Sequence, residues 1–371
     1  MSIYADPESV GISSARLDRA YAYLQDAVAE GRLPAASLAV ARHGHLIEPR
    51  AFGRIRLEAG SPPAGPDTIF LVASVTKSVT VASVMLLVER GMLSLQDRVC
   101  DIVPEFARNG KEEVRVVHLM THTSGLPDML PEDRELRRRH APLEEFVEHI
   151  HDLPLDFAPG ARIQYQSMGI AMLGEIVARV TGTKLPAFMR REILEPLGMT
   201  DTSLGAELDK EPRIAHVDIP EEMKGADWGW NTSYWWTFGA PWGGMFSTVS
   251  DILRFCLSFM GDAGAQASPV FSPATIQAMT RDQTSSMVEI PASTRSSQAW
   301  GLGWRKFLGH DWSYWGDLLT PGAFGHGGAT GTVVWVDPAR ELACAISTTT
   351  PSERSVGLLG RCSNLVAAAV E

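Results

Sequence analysis

The 371-residue chain is poor in cysteine and lysine, with four of the first and six of the second. Cys100, Cys256, Cys344 and Cys362 are far apart and form no Cys-x-x-Cys pair, so neither a disulfide framework nor a thiolate metal site is expected. No apolar run approaches the roughly eighteen residues that a membrane helix needs. The best, Val79 to Val88, is interrupted by Thr80 and Ser83. The opening MSIYADPESVG has neither the basic nor the apolar region of a secretory signal, and a cytoplasmic location is expected. Cations are in deficit, 33 against 44 acidic residues for a net charge of -11. Such a field repels phosphate backbones and anionic bilayers, so neither nucleic acid nor membrane is expected as a partner. The one basic run, Arg137 to His140, runs into Glu144 and Glu145 and reads as a solvated helix face. Gly-x-Ser-x-Gly is absent, which removes the main local support for an α/β-hydrolase. His118 and His122 have the i, i+4 spacing of a zinc pair, but Leu119 stands where the metalloprotease pattern needs Glu. No metal and no organic cofactor is expected.

What is present is a chain long enough for one composite domain or two coupled ones, with 45% hydrophobic residues to fill the core. Leu17, Ala20, Tyr21, Leu24 and Val28 recur at helical spacing after Ser13 or Ser14 as a cap, and the pattern stops near Gly31. Residues 36–42 and 46–52 are apolar runs flanking His43-Gly44-His45, a hairpin turn. Residues 75–90 are apolar nearly all round and end at Gly91, as suits a buried helix. Helical patterns follow at 143–151, 168–181, 187–194 and 249–260. Strands are expected at 300–307, 331–337 and 342–349, with Asp337-Pro338 as a turn and a closing helix over 352–370. Strands at both ends with helices between predict a mixed α/β (α+β) fold. Its antiparallel sheet domain is built from residues 1–72 and 296–371, and residues 73–295 form a mostly helical region, with the site at the junction.

Ser74-Val75-Thr76-Lys77 opens the buried helix, where i and i+3 side chains lie on one face. A hydroxyl is a weak nucleophile until a base takes its proton, and a lysine in a poorly solvated place can serve as that base. The bland alternative is that Ser74 or Thr76 merely caps the helix. Two later segments favour chemistry. Tyr165 sits on a loop at the head of the 168–181 helix. Phe324-Gly325-His326-Gly327-Gly328-Ala329-Thr330-Gly331 places a histidine among glycines just before an apolar strand, where backbone can approach a ligand closely.

In this order the three segments resemble the serine β-lactamase and penicillin-binding-protein superfamily, in particular its class C-like branch with the family VIII carboxylesterases. That pattern is Ser-x-x-Lys, then Tyr-x-Asn, then Lys-Thr-Gly or a substitute such as His-x-Gly. Leu71 to Lys77, His118 to Leu126, Glu195 to Met199 and Gly243 to Thr248 are also similar to family blocks. The resemblance implies a β-lactamase/transpeptidase-like fold and an acyl-enzyme on Ser74. It further implies that Lys77 shares the nucleophile's proton, that Tyr165 is general base or proton shuttle, and that the Ser74 amide and one near Ala329 form the oxyanion hole. His122 to Gly125 becomes a supporting turn.

Two departures point away from lactam antibiotics: Ser167 stands where the pattern has Asn, and His326 where it has Lys, a weaker clamp for a carboxylate. His326, Gly327, Gly328 and Ser167 are expected to contact substrate. Nine of the ten tryptophans fall between Trp228 and Trp315, and those from Trp228 to Trp242 suit the mouth of an apolar pocket or, failing that, a wall of core. The reading is a serine hydrolase acting on small carboxylic esters. Alternatives are an acyltransferase, a weak β-lactamase, a D-amino-acid amidase or peptidase, and a non-catalytic sensor that kept the pocket.

Overall fold

A computed structural model describes residues 4–58, 60–219, 221–260, 268–309 and 314–371. Ten strands are present among them: β1 Ala35–Arg42, β2 His45–Leu46, β3 Arg50–Gly53, β4 Phe70–Leu71, β5 Ser203–Leu204, β6 Met245–Ser247, β7 Arg305–Lys306, β8 Phe324–Gly328, β9 Thr332–Asp337 and β10 Leu342–Thr348. The main sheet is antiparallel in the order β2-β1-β10-β9-β8-β7, with β3 also paired to β1. Strand β1, from one end of the chain, therefore pairs directly with β10 from the other. His43 and Gly44 both have positive φ and join β1 to β2 in a two-residue hairpin, as the sequence predicts.

The period of two decides which core each strand residue enters. Leu38, Val40, Val333, Trp335, Cys344 and Ile346 face the terminal helices Ser14–Ala29 and Ser352–Ala367. Ala39, Ala41, Val334, Val336, Ala343 and Ala345 face the larger core of the helical region. Small alanines on that second face let the helix Val249–Leu257 lie close against β1 and β10.

The helix Thr76–Glu89 is buried from Thr76 through Leu87, and its polar side chains are paired as burial demands. Ser78 donates to the Gly303 carbonyl, Thr80 to that of Pro241, and Ser83 to that of Val79. Gly91, at φ +68, follows the end of the helix in the left-handed conformation.

Several expectations need correction. The 324–328 segment is not a loop before a strand but strand β8, in register with β9 from Phe324↔Val336 to Gly328↔Thr332. Within 300–307 only Arg305–Lys306 pairs as strand. The 46–52 run divides into β2 and β3, and β4, β6 and β5 form a small second sheet beside the helices. The 187–194 helix is α-helical only to Met189 and then widens over Arg190–Leu194. The helices at 249–260 and 352–370 end at Leu257 and Ala367. Arg137 is not solvated: it pairs with Asp133 at 2.9 Å and lies over the Trp235 ring.

Candidate active site

Ser74 lies in a short turn, Ala73–Val75, between β4 and the buried helix. Ala73 has φ +45, a left-handed conformation that costs a non-glycine residue about 1–3 kcal/mol. The surroundings enforce it. Thr76 Oγ1 donates to the Ala73 carbonyl at 2.6 Å, and the Val72 amide donates to Met245 O on β6 at 3.0 Å. From the other side, Thr330 and Thr332 donate to the Leu71 and Val72 carbonyls at 2.5 and 3.0 Å. Neither Ser74 nor Thr76 caps the helix start; its cap position, Val75, has no side-chain bond.

Lys77 is 1% exposed. Its Nζ is 3.0 Å from Ser74 Oγ and donates to the Trp242 carbonyl at 2.8 Å. Burial pushes the amine down to about 7, and the charge of Asp128 opposes this in part. At neutral pH a large fraction is therefore the free base, with an N–H for Trp242 and a lone pair for the serine.

The Tyr165 phenol interacts with the Ser74 hydroxyl, which favours the ionised phenol, but burial outweighs this and raises the phenol above its usual range. The Lys77 amine lies over the Tyr165 ring, 4.7 Å from its centre. The loop is held by the 118–125 block. His122 Nδ1 accepts from the Gln166 amide at 3.2 Å, and Gln166 Nε2 donates to His118 O and Leu119 O. The His122 ring packs between Tyr165 and Trp300, at 4.6 and 4.4 Å. His118 Nδ1 accepts the Arg115 amide at the start of its helix. The two histidines thus serve hydrogen bonds of the scaffold.

Ser74, Tyr165, His326, Gly327 and Ala329 line one cleft of about 550 Å³. Two residues expected to touch substrate do not line it. Gly328 has its backbone against Val72, where an added Cβ would lie 2.3 Å from the Val72 carbonyl oxygen. Ser167 is 3% exposed and donates to Asp128 at 2.7 Å. The Ser74 and Ala329 amides have no protein acceptor among the described residues. His326 is pushed down to about 3, chiefly by burial and then by the Lys77 charge, so the ring is neutral.

The tryptophan expectation is overturned for its main group. Trp235 and Trp242 are buried in the core beside Phe238, and Trp236 is buried beside Phe246. The cleft is walled instead by Trp300, Trp315 and Tyr314, with Arg305 of β7 at its edge. Trp312 is outside the described residues. Sequence reasoning missed Trp300 and Arg305, whose signal is only their place near or in the short strand that pairs with β8. It also missed Asp128, two residues beyond the 118–126 block.

The family model described as Beta-lactamase matches residues 21–361. Esterase EstB of Burkholderia gladioli is 33% identical over 388 residues, covering 95% of this chain and 96% of the relative. Among solved structures, a novel penicillin-binding protein homologue from Caulobacter crescentus aligns with a TM-score of 0.78 at 24% identity, covering 97% of this chain and 99% of the other. A family VIII carboxylesterase aligns at 0.74 and 20% identity, covering 95% and 99%. At these identities the two structures speak for the fold alone. The family match runs from before the first strand into the last helix, and with the EstB relationship it means that the chain belongs to the Beta-lactamase family.

Proposed function

We propose that this protein is a serine hydrolase that cleaves small carboxylic esters through an acyl-Ser74 intermediate. The observation that carries the reading is the buried Lys77 amine, brought near neutrality and held 3.0 Å from Ser74 Oγ. The neutral amine takes the hydroxyl proton as Oγ attacks the ester carbonyl. The amides of Ser74 and Ala329 hold the developing oxyanion. Tyr165 gives its proton to the leaving alkoxide, and the lysine ammonium returns a proton to the phenol through solvent. Water then attacks the acyl carbonyl with the same groups acting in reverse. These steps use side chains and water only. The 33% identity to an esterase over nearly the whole chain supports the choice of ester over amide.

We also read the sheet and helical regions, 1–72 with 296–371 and 73–295, as the two coupled parts that meet at this cleft. The cytoplasm is the proposed location, supported by four free cysteines.

A fluorophosphonate probe tests the core of the reading. The wild type should gain one adduct, mapped by peptide mass spectrometry to Ser74, and Ser74→Ala should gain none and lose ester turnover. An adduct elsewhere, or turnover by Ser74→Ala, overturns it.

A further inference from the structure

His326 is placed by β8 with one nitrogen satisfied and the other not. Its Nδ1 is 2.7 Å from the Gly327 carbonyl oxygen. A carbonyl only accepts, so Nδ1 carries the ring proton and Nε2 is left with a lone pair. Nε2 is buried without a partner among the described residues, in a side chain 4% exposed that lines the Ser74 cleft. A buried acceptor left unmade bears the full cost of its desolvation. The arrangement therefore gains from a ligand that brings a donor.

The position says which part of a substrate meets it. The His326 ring is 6.2 Å from the Tyr165 ring and 5.9 Å from Trp300, so it stands on the tyrosine side of the nucleophile. In the ester mechanism, on which this inference rests, the leaving oxygen comes to the Tyr165 phenol. The atoms just beyond that oxygen pass His326. We infer that His326 Nε2 accepts a hydrogen bond from a hydroxyl of the leaving alcohol, and that the preferred substrates are monoesters of diols and related polyhydroxylated alcohols. An alcohol of the same shape without the hydroxyl leaves Nε2 unpaired, and discrimination by a buried acceptor arises in this way. A carboxylate at the same place sets an anion against a lone pair. Because the ring stays neutral down to about pH 3, the preference is independent of pH over the working range.

The test uses two esters that share an acyl group and differ in one atom of the alcohol: 2-hydroxyethyl butyrate and propyl butyrate. Both give the same acyl-Ser74, so kcat/KM for each reports acylation, and each is divided by its rate of alkaline hydrolysis to remove intrinsic reactivity. The wild type should favour the hydroxyethyl ester by about tenfold, with the same ratio from pH 5 to 9. His326→Leu should bring the ratio to within about twofold of unity. Any general loss of activity falls on both esters and cancels. His326→Gln, which again offers an acceptor, should restore part of the preference. A wild-type ratio near unity, or a ratio that survives in a folded His326→Leu, overturns the inference. A variant that keeps the ratio but releases a burst of alcohol before slow turnover also overturns it, since the nitrogen then serves the deacylating water. The esterase reading fails separately, by turnover that persists in Ser74→Ala. A wild type that hydrolyses neither ester counts against both.

Discussion

Lys77 meets Tyr165 through the face of the ring, its amine 4.7 Å from the ring centre. A cation there interacts with the negative face of the aromatic system, while burial is the largest influence on the phenol. The phenol is raised by burial and keeps its proton, while the amine, lowered to about 7, gives its proton up. Base and acid are thus divided between the two residues, with the lysine as base.

A pH profile follows from this division. The working form of Lys77 is the deprotonated one, so kcat/KM for an activated ester should rise with pH, turn over near 7 and stay level above. Because Tyr165 remains protonated past its ordinary value of 10.0, no falling limb is expected below about pH 10. Initial rates from pH 5 to 10 check this. A bell with its upper limb near 8 would return the base role to the phenol.

The same group affects stability. Between about 7 and its ordinary 10.5 the unfolded chain binds a proton that folded Lys77 does not, so folding is strengthened as pH rises through this window. Below the window both states are protonated, and the folded one carries a desolvated charge. Lys77→Met keeps much of the stem and removes the titration. Its melting temperature should exceed that of the wild type most at pH 6 and least at pH 10, while ester turnover is lost. A constant difference across pH would show that the amine is not desolvated in the fold.

Tyr165→Phe keeps the ring between His122 and the Lys77 amine and removes only the phenol oxygen. If the phenol protonates the leaving group, kcat should fall by about 10² to 10⁴ with the melting temperature nearly unchanged. The loss should be smaller for a nitrophenyl ester, whose leaving group needs no proton, than for an alkyl ester. Equal losses on both would make Tyr165 a positioning group.

Local signals made part of this site legible. Ser74 and Lys77 are one helical turn apart, and an apolar run buried on all sides marks the helix that carries them, so their contact follows from spacing. Strands β1, β9 and β10 were legible for a similar reason: both faces are covered and the sequence is continuously apolar. Strand β8 was not. Three of its five residues are glycine, which weakens a strand in isolation. It forms because β9 supplies its partners and because glycine allows backbone contact: a Cβ at Gly325 would lie 2.1 Å from the Val334 carbonyl oxygen. The direction of the Tyr165 shift was equally hidden, since it depends on how fully the fold buries the phenol. Trp235, Trp236 and Trp242 were misplaced because proximity in sequence to Gly243-Gly244 says nothing of the side on which the rings pack.

Gly328 supplies a test of how the β8–β9 turn supports the nucleophile. A methyl group at this position meets the Val72 carbonyl oxygen and the Thr332 hydroxyl, so β8 must move away from the Ala73–Val75 turn. Gly328→Ala should cost about 1–3 kcal/mol in unfolding free energy. It should lower kcat further than the stability loss explains, because Ala329 is the next residue. Urea unfolding and steady-state kinetics on one preparation separate the two effects. A variant with wild-type kcat would mean that the Ala329 amide does not hold the oxyanion.

The last prediction sets esters against β-lactams. Ser167 Oγ is committed to Asp128 at 2.7 Å and is not among the cleft-lining residues, so no amide is offered to a lactam side chain there. His326 is neutral, so it offers a lone pair and no charge to the carboxylate that such antibiotics carry. Arg305 also lines the cleft, so the expectation is a reduced rate and not complete inactivity. Two missing polar contacts, at least one of them charge-assisted, correspond to about 10² to 10⁴ in kcat/KM. A short-chain nitrophenyl ester should therefore be turned over faster than nitrocefin by that factor at pH 7. Lowering the pH to 5 should not help nitrocefin, because His326 remains uncharged there and the Lys77 base is lost. Comparable kcat/KM values for the two substrates at pH 7 would mean that Arg305 has taken over the carboxylate, and nitrocefin turnover by Arg305→Gln would then locate the clamp.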